Sequence, residues 1–288
     1  MPGDEAVVIT DAMDPRVGDF RSLNIPGYRK AVEAPGPFSS GFFIAEGWLT
    51  IERLLPSRYR TRAVLVASNR LDRLLETESW QRHHQRHGAD LLVVDPDLLN
   101  EIVGFAMHRG IVASADRGVA PLPAQVVGRS RQLIIAEGIN DAENLGALCR
   151  NAVALGADGL LLDPTTCDLF SRRAVRVSVG HALTLEAARA PIAETLGSLS
   201  TSGWFTVACT PAAGALTVAQ ARERLDTTGS GQPKVAIVVG AEGPGLTEST
   251  IEACSVAVRI PMARGIDSLN VATAAAIVCH SLFSEPPN

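Results

Sequence analysis

Residues 256–284 of the chain read VAVRIPMARGIDSLNVATAAAIVCHSLFS. A short apolar strand leads into a polar loop, and Ser268-Leu269-Asn270 then opens a long apolar helix. A helix that is apolar on all sides is normally buried. Asp267, Ser268 and Asn270 therefore stand at the N-terminus of a buried helix, where they either cap it or help to hold a polar group.

The composition is that of an ordinary globular protein. The chain has 288 residues, which is enough for two domains. Of these residues, 46% are hydrophobic and 20% are charged. No apolar run is long enough to span a bilayer, and the acidic N-terminus does not resemble a secretory signal. The five cysteines are scattered without a CxxC pair, which favours reduced core residues of a cytoplasmic protein over disulfides or a zinc site.

Two α/β series are predicted, separated by a stretch with little pattern. Residues 1–37 carry Pro, Gly and Ser, and we interpret them as an extension that packs loosely or orders against a partner. Residues 38–118 alternate helices and strands and are predicted to form a small α/β domain. Residues 119–130 form the predicted linker, and residues 131–288 form the second domain.

Within the first domain we predict helices at 43–55, 71–80 and 96–105, strands at 62–68, 91–95 and 110–116, and a polar loop over QRHHQRHG (81–88). In the second domain the predicted strands are at 132–137, 159–163, 204–210, 234–240 and 255–262, and the predicted helices are at 141–155, 191–200, 216–225, 247–253 and 268–283. The central strands are apolar runs, as expected for a parallel sheet covered on both faces. Ligands of such sheets bind at the carboxyl ends of the strands.

A polar loop follows the first strand of the second series. It reads EGINDAENLGALCR (137–150) and ends in a predicted helix. Gly146 and Ala147 lie one turn before Arg150 on the same helical face, which leaves open space beside the guanidinium. Arg150 is thus either a functional cation or a solvated arginine on a surface helix.

A glycine-rich turn, VVGAEGPGLT (238–247), follows a later strand. Gly240 and Gly245 have the spacing of a P-loop, but Leu246 stands where the phosphate-binding lysine is required, so a nucleoside triphosphate site is disfavoured. The turn either lets the backbone approach a flat or uncharged ligand beside Glu242, or is a tight structural turn.

Together these segments resemble a known family. NLGALCR (144–150), GAEGPGL (240–246) and IPMARGIDSLNVATAAAI (260–277) resemble, in order and spacing, the three motifs of the SpoU/TrmH branch of the SPOUT RNA methyltransferases. Residues 163–180 resemble that family's second crossover, and residues 42–116 its N-terminal substrate-binding domain. The resemblance implies a C-terminal parallel-sheet SPOUT domain with a trefoil knot, preceded by a small α/β RNA-binding domain.

The resemblance also implies a cofactor, S-adenosylmethionine, held by the loops of the knot. The positions that match the family's cofactor-binding residues are Gly240, Glu242, Gly243, Gly245, Ile260, Met262, Ser268, Leu269 and Asn270. Ala241 and Ala272 depart from the commonest family pattern.

The implied reaction is methyl transfer to a ribose 2′-hydroxyl of RNA. The resemblance assigns catalysis to Arg150, with Asn144, Glu242 and Asn270 holding that arginine and the loops in place. A free guanidinium is a poor base because its pKa exceeds about 12. Arg150 is therefore expected to bind the adjacent RNA phosphate and to orient the hydroxyl.

The implied partners are RNA and a second copy of the chain. Ribosomal RNA is favoured over transfer RNA, because simpler members that modify transfer RNA often lack an N-terminal domain. The net charge of −5 argues mildly against RNA, but the location of positive charge matters more than its total. The arginines expected to contact RNA, which could equally be ordinary solvated arginines, are Arg53, Arg58, Arg60, Arg172 and Arg173.

Three alternatives stay open at this point. The chain could methylate transfer RNA, or it could be a non-catalytic RNA-binding protein that kept the fold. A nucleotide-using α/β enzyme of another kind is disfavoured by Leu246.

His83, His84 and His87 have a spacing that could bind a metal, but they lie in a polar, loop-like stretch and no metal site is expected.

Overall fold

The computed structural model describes residues 6–34, 41–227, 233–264, 266 and 268–283, without the side chains of 84–87. The chain forms two compact units, each built around one β-sheet. Unit 1 comprises Met1–Val119 and Phe170–Thr184, and unit 2 comprises Ala120–Leu169 and Leu185–Asn288. Over the described ranges, no helix has the length and apolar character needed to cross a membrane.

The described residues of unit 1 form a sheet of five strands in the order β1-β4-β3-β5-β2. The strands are β1 (Val7–Ile9), β2 (Phe42–Glu46), β3 (Thr61–Ala67), β4 (Asp90–Val94) and β5 (Ile111–Asp116). Its helices are α1 (Pro26–Glu33), α2 (Trp48–Leu54), α3 (Leu71–Glu76), α4 (Glu78–His87), α5 (Pro96–Val103) and α8 (Arg172–Val177), with 3-10 turns at Pro15–Phe20, Ser68–Arg70 and His181–Leu183. β5 runs antiparallel to β2 and β3, and the other pairs are parallel.

Residues 6–34 are built into unit 1, contrary to the predicted loose extension, of which residues 1–5 and 35–37 lie outside the described ranges. β1 pairs in parallel with β4, in a register that sets Val7 opposite Leu92. Val17 and Phe20 are fully buried in the core on one face of the sheet. A strand of only three residues is too short to show an alternating pattern, which is why the sequence did not reveal it.

The predicted helix at 43–55 is wrong in its first half. Residues 42–46 form β2, which is buried along its whole length, and α2 begins at Trp48. Periodicity cannot separate a short apolar strand from a buried helix. Gly47 marks the boundary, since its φ of +91° lets the chain turn sharply between the two elements.

The predicted helix at 71–80 is two helices, α3 and α4, which meet at Thr77. The predicted loop over 81–88 is also wrong, because α4 continues to His87 and ends at Gly88 in the left-handed conformation. His83 lies in this helix and is buried, with its Nδ1 2.9 Å from the Leu55 carbonyl oxygen. The side chains of His84 and His87 lie outside the described residues.

A segment from the second half of the chain belongs to unit 1. Phe170 stacks on Phe43 with ring centroids 5.1 Å apart, and Val175 and Leu183 are buried in the same core. Unit 2 therefore lacks residues 170–184, which the predicted 131–288 domain includes. The predicted linker at 119–130 contains a helix, α6 (Pro123–Arg129), that packs on unit 2.

The part of unit 2 that the structure describes contains a seven-stranded parallel sheet, which confirms the predicted class of fold. Its order is β10-β12-β9-β11-β6-β7-β8, and every pair is parallel. The strands are β6 (Gln132–Glu137), β7 (Gly159–Leu162), β8 (Glu186–Arg189), β9 (Phe205–Cys209), β10 (Leu216–Thr217), β11 (Val235–Gly240) and β12 (Val256–Arg259). Its helices are α6, α7 (Ala142–Ala154), α9 (Ile192–Thr201), α10 (Val218–Asp226), α11 (Glu248–Ala253) and α12 (Val271–Leu282).

The parallel arrangement brings the polar loops of unit 2 to one edge. β6, β7, β9, β11 and β12 all end there, so the loops that follow them are neighbours although they are distant in sequence. β8 and the two-residue β10 were not predicted. The last helix begins at Val271, slightly later than predicted, because Asn270 is its N-cap.

The burial of the N-terminal segment has a measurable consequence. Replacing Phe20 by Ala leaves a cavity in the core of unit 1 and should lower the free energy of unfolding by about 3 to 5 kcal/mol. Met13→Ala, at a position 70% exposed, should change it by less than about 0.5 kcal/mol. Urea denaturation followed by circular dichroism measures both, and equal stability of the two variants would show that the segment packs loosely.

Candidate active site at the carboxyl edge of the parallel sheet

The glycine-rich turn after β11 is a closed loop. The Gly245 amide donates to the Ala241 carbonyl oxygen at 3.0 Å, and the two residues form an isolated bridge. A Cβ on Gly240 would overlap the backbone of Gly245 and Leu246, so no side chain fits there. Gly243 and Gly245 have positive φ angles of 89° and 72°. The turn therefore exposes backbone groups and the Glu242 side chain at the edge of the sheet.

Asn270 links this turn to two helices. Its Oδ1 caps α12 by accepting hydrogen bonds from the Ala272 amide at 3.0 Å and the Thr273 amide at 3.3 Å. Its Nδ2 donates to Asn144 Oδ1 at 2.7 Å and to Glu242 Oε1 at 2.9 Å. One amide group thus fixes α7, the β11–α11 turn and α12 relative to one another.

A second asparagine strengthens the contact between α7 and α12. Asn151 lies on the same face of α7 as Asn144, because seven residues make nearly two full turns. Its Nδ2 donates to the Ala272 carbonyl oxygen at 2.9 Å. Sequence reasoning missed Asn151, although its spacing of seven from Asn144 was a usable signal.

Arg150 stands apart from these contacts. It follows Asn144 by six residues, so its side chain points about 120° away and lies about 9 Å further along the helix. Its side chain is exposed, and within the described ranges no hydrogen bond joins it to Glu242 or Asn270. The structure thus brings together three of the four predicted catalytic residues and places Arg150 on an open face.

A cavity of about 440 Å³ opens beside the Asn270 contacts. This volume falls within the roughly 300–1,000 Å³ of small-molecule sites. The predicted cofactor positions that lie in its wall are Gly240, Glu242, Gly243, Gly245, Ile260, Met262, Ser268, Leu269 and Asn270. Leu269 keeps 37% of its surface exposed there. Asp267 lies outside the described residues.

Part of the cavity wall was not foreseen. The carboxyl end of β9 contributes Cys209, Thr210 and Pro211, and α12 contributes Ala274 and Val278. These residues carry no motif, and the usable signal was that β9 ends at the same edge of a parallel sheet. Burial raises the pKa of the Cys209 thiol to about 12, so this cysteine is a neutral wall residue and not a nucleophile.

Asp163 holds the neighbouring loops from inside. Its carboxylate accepts hydrogen bonds from the Gly138 amide at 3.0 Å, from Thr165 Oγ1 at 2.6 Å and from Thr166 Oγ1 at 2.5 Å. Burial by itself would raise the pKa of Asp163, but these hydrogen bonds outweigh it and lower the pKa from 3.8 to about 2. Arg189 fixes the same loop from outside by donating to the Asp163 and Thr166 carbonyl oxygens at 2.9 and 2.8 Å.

Glu137, at the end of β6, holds the start of α11. Its carboxylate accepts hydrogen bonds from Thr247 Oγ1 at 2.9 Å and from Thr250 Oγ1 at 3.1 Å. Thr247 is also the N-cap of α11. The two ends of the β11–α11 turn are therefore anchored, one by the sheet and one by Glu137.

The arginines predicted to contact RNA have different surroundings within unit 1. Arg53 donates to the Val179 carbonyl oxygen at 2.9 Å, and the Arg172 guanidinium pairs with Glu46 at 3.1 Å. Both make contacts that hold residues 170–184 in the unit. Arg60 is 77% exposed and pairs with Asp116 at 3.2 Å. Arg58 lies over the Tyr59 ring, and Arg173 is exposed on α8.

Substitutions at Asn270 separate its two tasks. Asn270→Ala removes the N-cap and should lower the free energy of unfolding by about 1 kcal/mol. Asn270→Ser keeps an oxygen that caps α12, so the free energy of unfolding should fall by less than about 0.5 kcal/mol. The serine side chain is too short to reach Asn144 and Glu242, so this variant loses those two hydrogen bonds only. Urea denaturation tests this, and a serine variant as unstable as the alanine variant would mean that capping is not the main contribution.

The Asp163 network predicts a loss of stability in acid. Because the pKa of Asp163 is lower in the folded state, its contribution is fully present above about pH 4 and is lost as the pH falls toward 2. Asp163→Asn should therefore be less stable than the parent at pH 7, and the difference should shrink between pH 4 and 2. Denaturation curves measured across this range check it, and a difference that is independent of pH would contradict it.

Comparison with known proteins agrees with the family indicated by the motifs. The SpoU rRNA methylase family model matches residues 131–280. An uncharacterized tRNA/rRNA methyltransferase of Mycobacterium tuberculosis is 39% identical over 273 residues, which cover 94% of this chain and 90% of the relative. A 23S rRNA (guanosine-2′-O-)-methyltransferase of Ralstonia nicotianae is 28% identical over 219 residues, 74% of this chain and 84% of the relative.

Solved structures share the fold over nearly the whole chain. The crystal structure of an RNA 2′-O ribose methyltransferase superposes with a TM-score of 0.71 at 28% identity and covers 96% of this chain and 98% of its own. The AdoMet-bound rRNA methyltransferase of Sinorhizobium meliloti superposes with a TM-score of 0.74 at 24% identity. The superposition covers 96% of this chain and 97% of the Sinorhizobium protein. The family model matches more than half of the residues of this chain, and the chain therefore belongs to the SpoU rRNA methylase family.

Proposed function

We propose that this protein is an S-adenosylmethionine-dependent RNA methyltransferase that modifies a ribose 2′-hydroxyl. The observation that carries the proposal is the set of Asn270 hydrogen bonds to Asn144 and Glu242 beside a cofactor-sized cavity that Glu242 and Asn270 help to line. Membership of the SpoU family supports it. So does the 28% identity to an RNA 2′-O ribose methyltransferase of known structure.

The cavity suits S-adenosylmethionine in volume and chemistry. Ile260 and Leu269 offer apolar surface to an adenine ring, and the β11–α11 turn offers backbone donors and acceptors to its edges. The exposed part of Leu269 would be covered by the ligand. S-adenosylmethionine, when bound, supplies a methyl group activated by a sulfonium centre.

The chain's own residues would bind and orient the RNA. Arg150 is exposed and has space beside it, so its guanidinium can bind an RNA phosphate and orient the neighbouring 2′-hydroxyl. It is a catalytic residue in this proposal but not a base, because its pKa is too high. Asn144, Glu242 and Asn270 would set the distance between the cavity and the hydroxyl, which matters because methyl transfer depends on alignment.

Ribosomal RNA is the substrate that we favour. The Ralstonia relative is named for 23S rRNA, whereas the name of the more similar Mycobacterium relative leaves transfer and ribosomal RNA open. A transfer-RNA methyltransferase is the second candidate. A non-catalytic RNA-binding protein is less favoured, since Asn144, Glu242 and Asn270 keep a shared set of hydrogen bonds that RNA binding alone does not require.

We further propose that the protein acts in the cytoplasm as a homodimer, with a trefoil knot in unit 2. Exposed apolar side chains of unit 2 support a second copy, because Ile266 is 55% and Ile277 37% exposed. Arg53, Arg58, Arg60, Arg172 and Arg173 stay predicted RNA contacts. No metal has a part in the proposed reaction.

The Arg150→Ala variant tests the catalytic assignment. Loss of a positioned cation at the transition state should lower the rate of RNA methylation by about 100-fold or more. Binding of S-adenosylmethionine should stay within about two-fold, since Arg150 does not line the cavity. Methylation of total ribosomal RNA with radiolabelled cofactor and calorimetry with cofactor alone measure the two effects.

Arg222→Ala is the control, since Arg222 is an arginine of unit 2 whose side chain is 43% exposed and pairs with Asp226 one turn away. It should leave both quantities unchanged. Full activity of the Arg150→Ala variant would contradict the catalytic assignment. Failure of the parent protein to bind S-adenosylmethionine would contradict the proposed function itself.

A further inference from the structure

Unit 1 has a second cavity, at one edge of its own sheet. β2, β3 and β4 run in the same direction and β5 runs opposite to them, so the first three end where β5 begins. The cavity has a volume of about 250 Å³ at this edge. Its wall includes Asn69 and Arg70 after β3, Asn100 on α5, and Ala106 and His108 before β5.

The chemistry of this wall suits a nucleobase. Asn69, Arg70 and His108 are exposed at the edge and present hydrogen-bond donors and acceptors. Leu99 and Met107, both buried, form the apolar base of the same wall. A volume of about 250 Å³ lies below the roughly 300–1,000 Å³ of cofactor-sized sites, so one base fits better than a dinucleotide or a drug-sized ligand.

Two arginines at this edge are held by packing against glycines. The Arg70 side chain lies over Gly110, where a Cβ would come within 3.0 Å of Arg70 Cγ. The Arg109 side chain lies over Gly47 in the same way, since a Cβ there would be 2.5 Å from Arg109 Nη1. Both side chains are exposed, and among the described residues no carboxylate forms an ion pair with either.

An aromatic–cation pair borders the same edge. The Arg73 guanidinium lies 4.1 Å from the centre of the Trp48 ring, and the Trp48 indole donates to the Arg109 carbonyl oxygen at 3.1 Å. Trp48 therefore supports the loop that carries His108 and Arg109. A flat guanidinium on an aromatic ring is a surface on which an unstacked base can lie.

We propose that this edge of unit 1 binds one unpaired nucleotide of the RNA, with its base in the 250 Å³ cavity and its phosphates on Arg70 and Arg109. The inference rests on the proposed function, because RNA is the partner that it assumes. It adds an RNA contact at the edge of the sheet opposite Arg60, which lies before β3 and pairs with Asp116 at the end of β5. Proteins bind individual RNA bases in pockets of this kind where the bases are unstacked and single-stranded.

The test is fluorescence anisotropy with a labelled single-stranded RNA of mixed sequence and with its duplex, over a range of salt. Arg70→Ala and Arg109→Ala should each weaken single-strand binding and reduce the slope of log K against log salt by about 0.7. Ala106→Phe fills the cavity without changing charge. It should weaken binding about ten-fold or more and leave the salt slope unchanged.

Arg82→Ala is the matched control, because Arg82 is a 63% exposed arginine of unit 1 that pairs with Glu78 away from the cavity. It loses the same charge and should keep the parent's affinity and slope. The melting temperature of each variant, compared with that of the parent, confirms that it is folded.

Three results would overturn the proposal: equal affinity of the parent for single strand and duplex, an unchanged affinity in the Arg70→Ala and Ala106→Phe variants, or an equal loss in Arg82→Ala. RNA binding is measured without methylation, so failure of this proposal is distinct from failure of the proposed activity. A protein that binds the single strand as expected but neither binds S-adenosylmethionine nor methylates RNA would support this edge and contradict the enzyme.

Discussion

The hydrogen bonds of one amide group, on Asn270, hold the candidate active site together. Asn144 lies 126 residues before Asn270 in the sequence and Glu242 lies 28 residues before it, and the three meet because parallel strands end at one edge. Each polar atom of the amide has a defined task, since Oδ1 caps α12 and Nδ2 donates to the other two side chains. Asn151 adds a second bond between α7 and α12.

The loops around this amide are fixed by hydrogen bonds to two carboxylates at the ends of the strands. Asp163 binds the Gly138 amide and two threonine hydroxyls, while Glu137 binds the first turn of α11. The backbone of Gly245 and Leu246 packs directly against Gly240, where a Cβ would overlap it. Such a site is arranged before any ligand arrives, so binding energy is not spent on ordering its loops. A methyl transfer that depends on alignment benefits most from this rigidity.

Local patterns predicted the parts of the fold that depend on neighbouring residues. The apolar runs of β6, β9 and β11 indicated a parallel sheet, which is confirmed, and the residues at the start of α12 indicated a polar site there. The first half of the predicted helix at 43–55 was misread, because periodicity cannot distinguish a short apolar strand from a buried helix, and Gly47 lies between β2 and α2. The place of Phe170 and Val175 in the core of unit 1 could not be predicted, because it depends on contacts more than a hundred residues away. The hydrogen bonds of Asp163 and Glu137 were missed for the same reason. The position of Arg150 relative to Asn270 depends on how α7 packs against α12, which residue spacing within one helix does not predict.

A double-mutant cycle tests the central claim most directly. Asn144→Ala, Asn270→Ala and the double variant are titrated with S-adenosylmethionine by calorimetry, and the coupling free energy between the two positions is calculated. If the Asn144–Asn270 hydrogen bond shapes the cofactor cavity, the effects on binding are coupled by about 0.5 kcal/mol or more. Effects that add within about 0.3 kcal/mol would show that the two side chains act independently, and would contradict a cavity shaped by the Asn270 amide.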